Sequence, residues 1–253
     1  MKYFITSDVH SFYDELMVAL NEKGFEKDNP EHIVCVCGDL FDRGNQSRQV
    51  FEFAKELQQQ GRLIYVKGNH ELLLKDCVKE IAKGRVPSSH HFSNGTVKTI
   101  CMLCGQSEWI VYDPSWRDKI LEIMQPVLDF IDKNCVNYDE IGDYILLHGY
   151  IPTFQHLDDF RDGDQGDWNQ AMWLNGMDMW RNPKNRVEGK TITCGHWHCS
   201  WGWSHIRQER KEWPPSNRKD WKKSFEPFID DGIMAIDACT AYSGIVNVVV
   251  IEK

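Results

Sequence analysis

The sequence lacks two features that would place the protein on a nucleic acid or in a membrane. It has no excess of basic residues, since 29 Lys and Arg stand against 38 Asp and Glu and the formal net charge is -9. Nonspecific binding to nucleic acid depends on neutralised phosphates, so this charge argues against such a protein. No apolar run reaches membrane-spanning length, and no leader-like stretch precedes the strand-like residues 2–6. We therefore expect a cytoplasmic protein.

A disulfide framework is also missing. The nine cysteines are odd in number and scattered, and several of them, such as Cys35, Cys37 and Cys194, lie inside apolar runs. This usage is typical of reduced thiols. Cys101 and Cys104 form one C-x-x-C pair without a second pair at zinc-ribbon spacing, so ordinary buried cysteines are favoured over a metal or redox site.

What the sequence does contain is a βα pattern, repeated three times. Apolar runs with the character of buried strands occur at 2–7, 32–37 and 63–66. Each is followed by apolar residues at helical spacing, as Leu16, Ala19 and Leu20 show after the first run. The pattern predicts an α/β fold with parallel strands, in which ligands bind beyond the carboxyl ends of the strands.

Further strands are predicted at 144–147 and 191–194. The closing runs 233–236 and 245–251 are predicted to form a pair of strands joined around Ser243 and Gly244.

The length of 253 residues suits one large domain with insertions. We expect a single domain over 1–253, with a lid or insertion at 84–140 and loop-rich insertions at 150–190 and 205–230. Inside the first insertion, helical stretches are expected near 95–108 and 117–133, the latter interrupted by Pro126.

Two charged stretches leave alternatives open. The aspartates between 158 and 167 lack the spacing of a calcium loop, so a solvated acidic loop is favoured. The stretch 205–223 carries seven Lys or Arg against three acids, with Trp213 and Trp221 between them. Such a segment could hold a nucleic acid or a phosphorylated partner, but an exposed charged loop is the preferred interpretation.

Polar side chains follow five of the predicted strands. They are Asp8, His10, Asp39, Asp42, Arg43, Asn69, His70, His148, His196 and His198. This mixed set of nitrogen and oxygen ligands indicates a site for hard or borderline divalent ions such as Mn, Fe or Zn, not a thiolate site. Asp39 is central in this set and is the natural bridge between two ions in a two-metal hydrolase.

The strings Gly38-Asp-Leu-Phe-Asp-Arg-Gly44 and Gly68-Asn-His-Glu71 are much more specific than any single residue. Together they resemble the calcineurin-like metallophosphoesterase superfamily. Within it they resemble the phosphoprotein phosphatase (PPP-like) branch, which includes bacterial and phage serine/threonine phosphatases and symmetrical diadenosine tetraphosphatases. The resemblance implies a four-layer α/β/β/α sandwich of two mixed sheets flanked by helices.

The resemblance also implies two divalent metal ions, with manganese favoured over iron or zinc. Asp8, His10 and Asp39 match the first metal site. Asp39, Asn69, His148 and His196 match the second. In phosphodiesterases and nucleases of the superfamily, the position of His198 is a further ligand of the first metal.

For the reaction itself, His70 matches the residue that protonates the leaving oxygen, helped by Asp42. Arg43 and Asn69 match substrate-binding positions, and the fork geometry of the Arg43 guanidinium suits two phosphate oxygens. A second phosphate-binding arginine has no motif match. Arg161, Arg181 and Arg186 lie in the right interval, and Arg181 is favoured.

The expected function is therefore dinuclear metal-dependent hydrolysis of phosphomonoesters, as in serine/threonine phosphatases, by attack of a metal-bound hydroxide. The substrate would be a phosphorylated protein or a small phosphoester; a nucleotide or nucleic acid is not favoured, and no membrane is expected. The alternative is a phosphodiesterase or dinucleoside polyphosphate hydrolase, motivated by His198 and the basic stretch. A non-catalytic metal- or phosphate-binding module is disfavoured, because every matched position is occupied.

Overall fold

The protein is described by a computed structural model that covers residues 1–154 and 156–253. Its strands are β1 (Lys2–Thr6), β2 (His32–Cys37), β3 (Leu63–Val66), β4 (Cys135–Val136), β5 (Asp139–Ile141), β6 (Tyr144–Leu146), β7 (Thr191–Cys194), β8 (Phe228–Asp230), β9 (Ile233–Ala235) and β10 (Val249–Glu252). They form two five-stranded mixed sheets with the orders β10-β1-β2-β3-β4 and β5-β6-β7-β9-β8.

Parallel strands form the centre of both sheets. In the first sheet β1, β2, β3 and β4 run parallel, and β10 pairs antiparallel with β1. In the second sheet β6, β7 and β9 run parallel, with β5 and β8 antiparallel at the edges. The carboxyl ends of the parallel strands therefore gather at one edge of each sheet.

The helices of the described residues are α1 (Tyr13–Glu22), α2 (Ser47–Gln59), α3 (Asn69–Ala82), α4 (Ser89–Ser93), α5 (Thr96–Cys104), α6 (Arg117–Asn134), α7 (Gln165–Ala171), α8 (Gly176–Trp180), α9 (Cys199–Trp201) and α10 (Thr240–Ser243). A π-helical turn, Gly202–Ile206, continues α9.

The layers follow from the alternation of side chains along each strand. In β2, Val34 and Val36 belong to the large cluster that packs against α1, α2, α3, α5 and α6. Cys35 and Cys37 point the other way, into a cluster shared with residues of the second sheet such as Leu146. A third cluster covers the outer face of the second sheet. The expected arrangement of two mixed sheets flanked by helices is confirmed.

The 84–140 segment is mostly helical. The expected helices near 95–108 and 117–133 correspond to α5 and α6, and buried Val97, Ile100 and Ile120 join them to the core of the first sheet. The interruption at Pro126 was wrong, because α6 continues through this residue. Pro126 is exposed, so water can satisfy the carbonyl that loses its helical partner, while buried residues on the opposite face hold the helix in place. The role of this segment as a lid stays a prediction.

The expected pairing of the two closing strands was also wrong. β9 pairs with β7 and β8 in the second sheet, whereas β10 pairs with β1 in the first. Residues 236–248 cross between the sheets and contain α10. Apolar alternation identifies a strand but not its partner, and this connection is much longer than a hairpin turn.

The remaining global expectations concern thiols and membranes. All nine cysteines are free, and Cys101 and Cys104 both lie on α5. None of the helices in the described ranges combines the length and apolar character that a bilayer crossing requires.

Candidate metal centre

The strand ends bring the predicted polar residues together. Asp8 and His10 follow β1, Asp39 follows β2, and Asn69 and His70 begin α3 directly after β3. His148 and His196 each lie two residues after a strand of the second sheet, β6 and β7. All of these residues except His196 are buried, and His196 is half-buried.

The backbone is strained where these residues lie. Left-handed φ angles occur at Asp8 (51°), His10 (49°), Asp39 (56°), Asp42 (76°) and His196 (65°). Such angles are uncommon for residues with a Cβ and persist only when the surroundings fix them. They turn the chain sharply after each strand, so that successive side chains face one point.

Two glycines permit the close approach of the loops. A Cβ added at Gly68 would lie 2.1 Å from Oδ1 of Asp39, and one at Gly195 would lie 2.2 Å from Oδ2 of Asp8. A side chain at either position would therefore displace a carboxylate of the centre.

Glu71 holds the loop after β2 in place. Its Oε2 accepts hydrogen bonds from the backbone N–H groups of Gly68 (2.7 Å) and Asp39 (3.0 Å). Its Oε1 accepts from the N–H of Leu40 (3.0 Å) and the hydroxyl of Tyr65 (2.8 Å). The side chain is fully buried. The motif contained Glu71 but gave no sign of its role, because two of its partners are the backbone N–H groups of Asp39 and Leu40, about thirty residues away.

Replacing Glu71 with glutamine is expected to destabilise the protein by about 3 kcal/mol, since the amide NH2 would face hydrogen-bond donors in either orientation. The measurement is urea unfolding of the metal-free protein followed by circular dichroism. Glu22→Gln, at an exposed position on α1, is the matched control and should leave the midpoint unchanged. Equal midpoints for the two variants would contradict the role of Glu71.

Asp39 lies at the middle of the centre. Its Oδ2 is 3.8 Å from Nε2 of His10 and 3.8 Å from Nε2 of His70, while its Oδ1 is 3.4 Å from Nε2 of His148. Two groups of potential metal ligands share it: His10, Asp39 and His70, and Asp39, His148 and His196. Oδ1 of Asp8 lies 3.9 Å from Nε2 of His10 and extends the first group.

These separations fit ligands of a common cation. They are too long for strong hydrogen bonds, but two atoms that each lie about 2.1 Å from one ion are roughly 3–4 Å apart, depending on the angle between them. The rings are also oriented for this purpose. Nδ1 of His10 is 2.9 Å from the carbonyl of Phe41, and Nδ1 of His148 is 2.8 Å from the carbonyl of Cys37. When Nδ1–H donates to these carbonyls, the Nε2 lone pairs face inwards.

The electrostatics fit a cation as well. Burial lowers the pKa of His10 well below its usual value, and burial together with His148 lowers the pKa of His196 to about 3, so both rings are neutral ligands. Burial raises the pKa of Asp8. Burial and the negative charge of Asp8 together raise the pKa of Asp237 well above its usual value. A site with buried acids and inward-facing lone pairs is stabilised by positive charge.

His70 is held by a carboxylate that is itself fixed. Nδ1 of His70 lies 2.7 Å from Oδ2 of Asp42. Both oxygens of Asp42 accept hydrogen bonds from α5, from the hydroxyls of Thr96 (2.8 Å) and Thr99 (2.8 Å). Nη2 of the exposed Arg43 is 3.4 Å from Nε2 of His70, on the solvent side. The sequence carried no signal for the two threonines.

Asp42→Asn is expected to lower the pKa of His70 in the metal-free protein. Burial alone would lower this pKa, but the charge of Asp39 and the hydrogen bond that the ring donates to Asp42 outweigh it and raise the pKa to about 9 from 6.5. The stability that this pair contributes is fully present below pH 6.5 and is lost as the pH rises through about 9. NMR titration of the His70 ring protons measures this pKa in the wild type and in Asp42→Asn. An unchanged pKa would contradict the role of Asp42 in stabilising the protonated ring.

His198 and the three candidate arginines make their contacts outside the two groups. Nδ1 of His198 lies 2.8 Å from the hydroxyl of Ser200, and its Nε2 is 3.6 Å from Glu212. Arg181 is exposed and pairs with Asp178 at 3.5 Å. The other two arginines also have partners elsewhere, since Arg161 pairs with Glu140 and Asp159 and Arg186 stacks on Trp180. The roles of His198 and Arg181 remain predictions that these contacts do not support.

Comparison with known families agrees with the fold and the centre. The model of the family described as calcineurin-like phosphoesterase matches residues 1–230. The chain belongs to this family. It is accordingly a metallophosphoesterase, a hydrolase of a family that depends on two metal ions.

Curated relatives match a shorter part of the chain. The asymmetrical bis(5'-nucleosyl)-tetraphosphatase PrpE of Bacillus velezensis is 40% identical over 76 residues, which are 28% of this chain and 30% of that protein. A symmetrical bis(5'-nucleosyl)-tetraphosphatase of Hamiltonella defensa is 35% identical over 74 residues, 29% of this chain and 26% of that protein. The matches thus span less than a third of these relatives.

Among solved structures, a cold-active protein-tyrosine phosphatase of a psychrophilic Shewanella is similar over 100% of this chain and 75% of its own, with a TM-score of 0.53 and 17% identity. At this identity the likeness shows the fold alone.

Proposed function

We propose that this metallophosphoesterase hydrolyses dinucleoside polyphosphates with the help of two divalent cations. The observation that carries the chemistry is the Asp39 carboxylate, which faces His10 and His70 with one oxygen and His148 with the other. The substrate class is supported by the tetraphosphatase relatives. They favour the alternative derived from the sequence over the phosphomonoester hydrolase that was first expected.

The proposed ligands form two sets that share Asp39. Asp8 and His10 complete the first set, and Asn69, His148 and His196 complete the second. The contact between Nε2 of His148 and Oδ1 of Asn69, at 2.9 Å, supports the second set. With Nδ1–H donated to Cys37, two acceptors face each other unless a proton or a cation lies between them. A bound cation pair supplies activation of water and neutralisation of phosphate charge.

His70 is proposed as the acid that protonates the leaving oxygen. Its hydrogen bond to Asp42 fixes the ring and leaves Nε2 facing the centre, and the Asp42 carboxylate stabilises the protonated ring. Arg43 is proposed to bind phosphate oxygens, because its guanidinium lies beside His70, is exposed and belongs to neither ligand set. These two side chains would act on opposite parts of the same phosphoryl group.

The test is a substrate panel with one manganese-loaded preparation. We expect kcat/KM for diadenosine tetraphosphate to exceed that for p-nitrophenyl phosphate and for a phosphoserine peptide by at least about tenfold. Chromatography of the products identifies which phosphoanhydride bond of the tetraphosphate is cut.

Two other results of the substrate panel would lead to different conclusions about the function. Fastest turnover of the phosphopeptide would restore the serine/threonine phosphatase hypothesis and overturn the proposal. Absence of turnover with every substrate, in protein that binds metal, would indicate a non-catalytic module.

A further inference from the structure

Three exposed tryptophans lie next to His196 and His198 in space or in the chain. Of the ten tryptophans, four are exposed: Trp109, Trp173, Trp197 and Trp213. Trp173 packs edge-on against His196 at 5.7 Å, and Trp213 lies 4.5 Å from the ring of His198. Trp197 connects the two histidines in the chain. Tryptophan is usually well buried, so three exposed rings around two neighbouring histidines call for an explanation.

The fold holds the Trp213 ring in place without covering it. Tyr242 packs edge-on against it at 5.4 Å, and the hydroxyl of Tyr242 donates a hydrogen bond to the carbonyl of Pro214 at 3.0 Å. Phe225 contacts the ring at 6.5 Å. Nevertheless 51% of Trp213 and 49% of Trp173 remain exposed. An oriented aromatic ring with a free surface is what a stacking partner needs.

The charge around Trp213 fits an anionic ligand. Residues 205–223 carry seven Lys or Arg against three acids, although the whole chain has a net charge of -9. One of the acids, Glu212, is paired with His205 at 2.8 Å and faces His198. A surface cavity of about 500 Å³ in the same segment has more basic than acidic residues in its lining, although Trp213 itself does not line it; the charged residues are Arg210, Lys211, Arg218, Lys219 and Lys223 with Glu209 and Asp220. An aromatic, phosphate-rich ligand would meet stacking surfaces and positive charge together.

We propose that Trp173, which packs against His196, and Trp213, which packs against His198, stack the nucleobases of a nucleotide substrate. The Cα atoms of these histidines are at most about 7 Å apart, because two residues of extended chain span no more. A ligand with a base at each end of a phosphate chain could therefore contact both rings while a phosphate lies at the centre. This inference rests on the proposed function, whose substrate class it explains.

The experiment compares Trp213→Ala and Trp173→Ala with Trp213→Phe and with Trp109→Ala. Trp109 is the matched control, since it is 47% exposed but contacts Trp116 instead of the centre. Loss of one stacked base is expected to raise KM for diadenosine tetraphosphate about tenfold in each alanine variant at the centre, with little change in kcat. Trp213→Phe should retain most of the affinity, and Trp109→Ala should behave as the wild type.

Two ligands separate base stacking from general damage to the centre. The Kd of 1,N6-etheno-ADP, from fluorescence anisotropy with manganese present, should rise about tenfold in the Trp173→Ala/Trp213→Ala double variant, because the single base of this ligand can stack on the remaining ring of either single variant. The inhibition constant of inorganic tripolyphosphate, which has no base, should stay unchanged. Unchanged etheno-ADP binding, or an equal loss of tripolyphosphate binding, would overturn the inference. If the wild type prefers a phosphomonoester to diadenosine tetraphosphate, the proposed function fails, while the binding data still decide the role of the tryptophans.

Discussion

Replacing Asp39 with asparagine is expected to lower kcat/KM by at least about a thousandfold and to remove one or both metal ions. One carboxylate oxygen faces His10 and His70, and the other faces His148. An amide has one oxygen, so it can serve only one of the two sets. Its NH2 group would direct protons at the other set and carries no negative charge to balance a cation.

Metal content by inductively coupled plasma mass spectrometry and steady-state kinetics test this expectation together. Asp118→Asn is the matched control, because the Asp118 side chain is 92% exposed on α6 and makes only a loose pair with Arg117. It should keep full metal content and activity. An Asp39→Asn protein with unchanged metal and activity would remove the basis of the dinuclear proposal.

His70→Asn is expected to keep its metal ions but lose at least about a hundredfold in kcat on diadenosine tetraphosphate. Asparagine cannot relay a proton, whereas the proposed ligand sets do not require His70. The loss should be smaller on p-nitrophenyl phosphate, since p-nitrophenolate leaves readily without a proton. This contrast between the two substrates isolates the acid role from general damage.

Metal analysis of the same His70→Asn preparation is decisive for the assignment. His70 also lies in the group with His10 and Asp39, so its geometry would allow direct ligation. Loss of an ion in the variant, in parallel with loss of activity on both substrates, would make His70 a ligand instead of the acid.

The first three strands and the polar residues after them could be predicted because both depend on local sequence. β2 and β3 are mostly apolar; Gly38 follows β2 directly, Gly68 lies two residues after β3, and polar residues come after both glycines. Parallel pairing of β1, β2 and β3 then places Asp8, Asp39 and Asn69 at one sheet edge. Here periodicity and turn chemistry agree, so sequence reasoning was sufficient.

Contacts between distant segments could not be predicted in this way. Thr96 and Thr99 fix Asp42 across more than fifty residues, and nothing in their own neighbourhood distinguishes them from ordinary helix residues. The partners of β9 and β10 likewise depend on which sheet each strand joins. Pro126 shows the opposite case, in which a strong local signal for a break was outweighed by the packing of α6.

The roles predicted for His198 and Arg181 stay predictions, and the structure shows only where the two side chains lie. His198 sits in a string that matches the superfamily, yet its ring contacts Ser200, Glu212 and Trp213. Arg181 was chosen by its position in the chain alone, and its side chain pairs with Asp178 at the surface. Orientation of a side chain depends on its surroundings in space, and a motif does not record these.

The most direct test of the dinuclear proposal is an anomalous difference map from crystals of the manganese-loaded protein. We expect two peaks about 3.5 Å apart, one on each side of the Asp39 carboxylate, with Asp8 and His10 at one peak and Asn69, His148 and His196 at the other. A single peak, or peaks that do not share Asp39, would contradict the proposed centre.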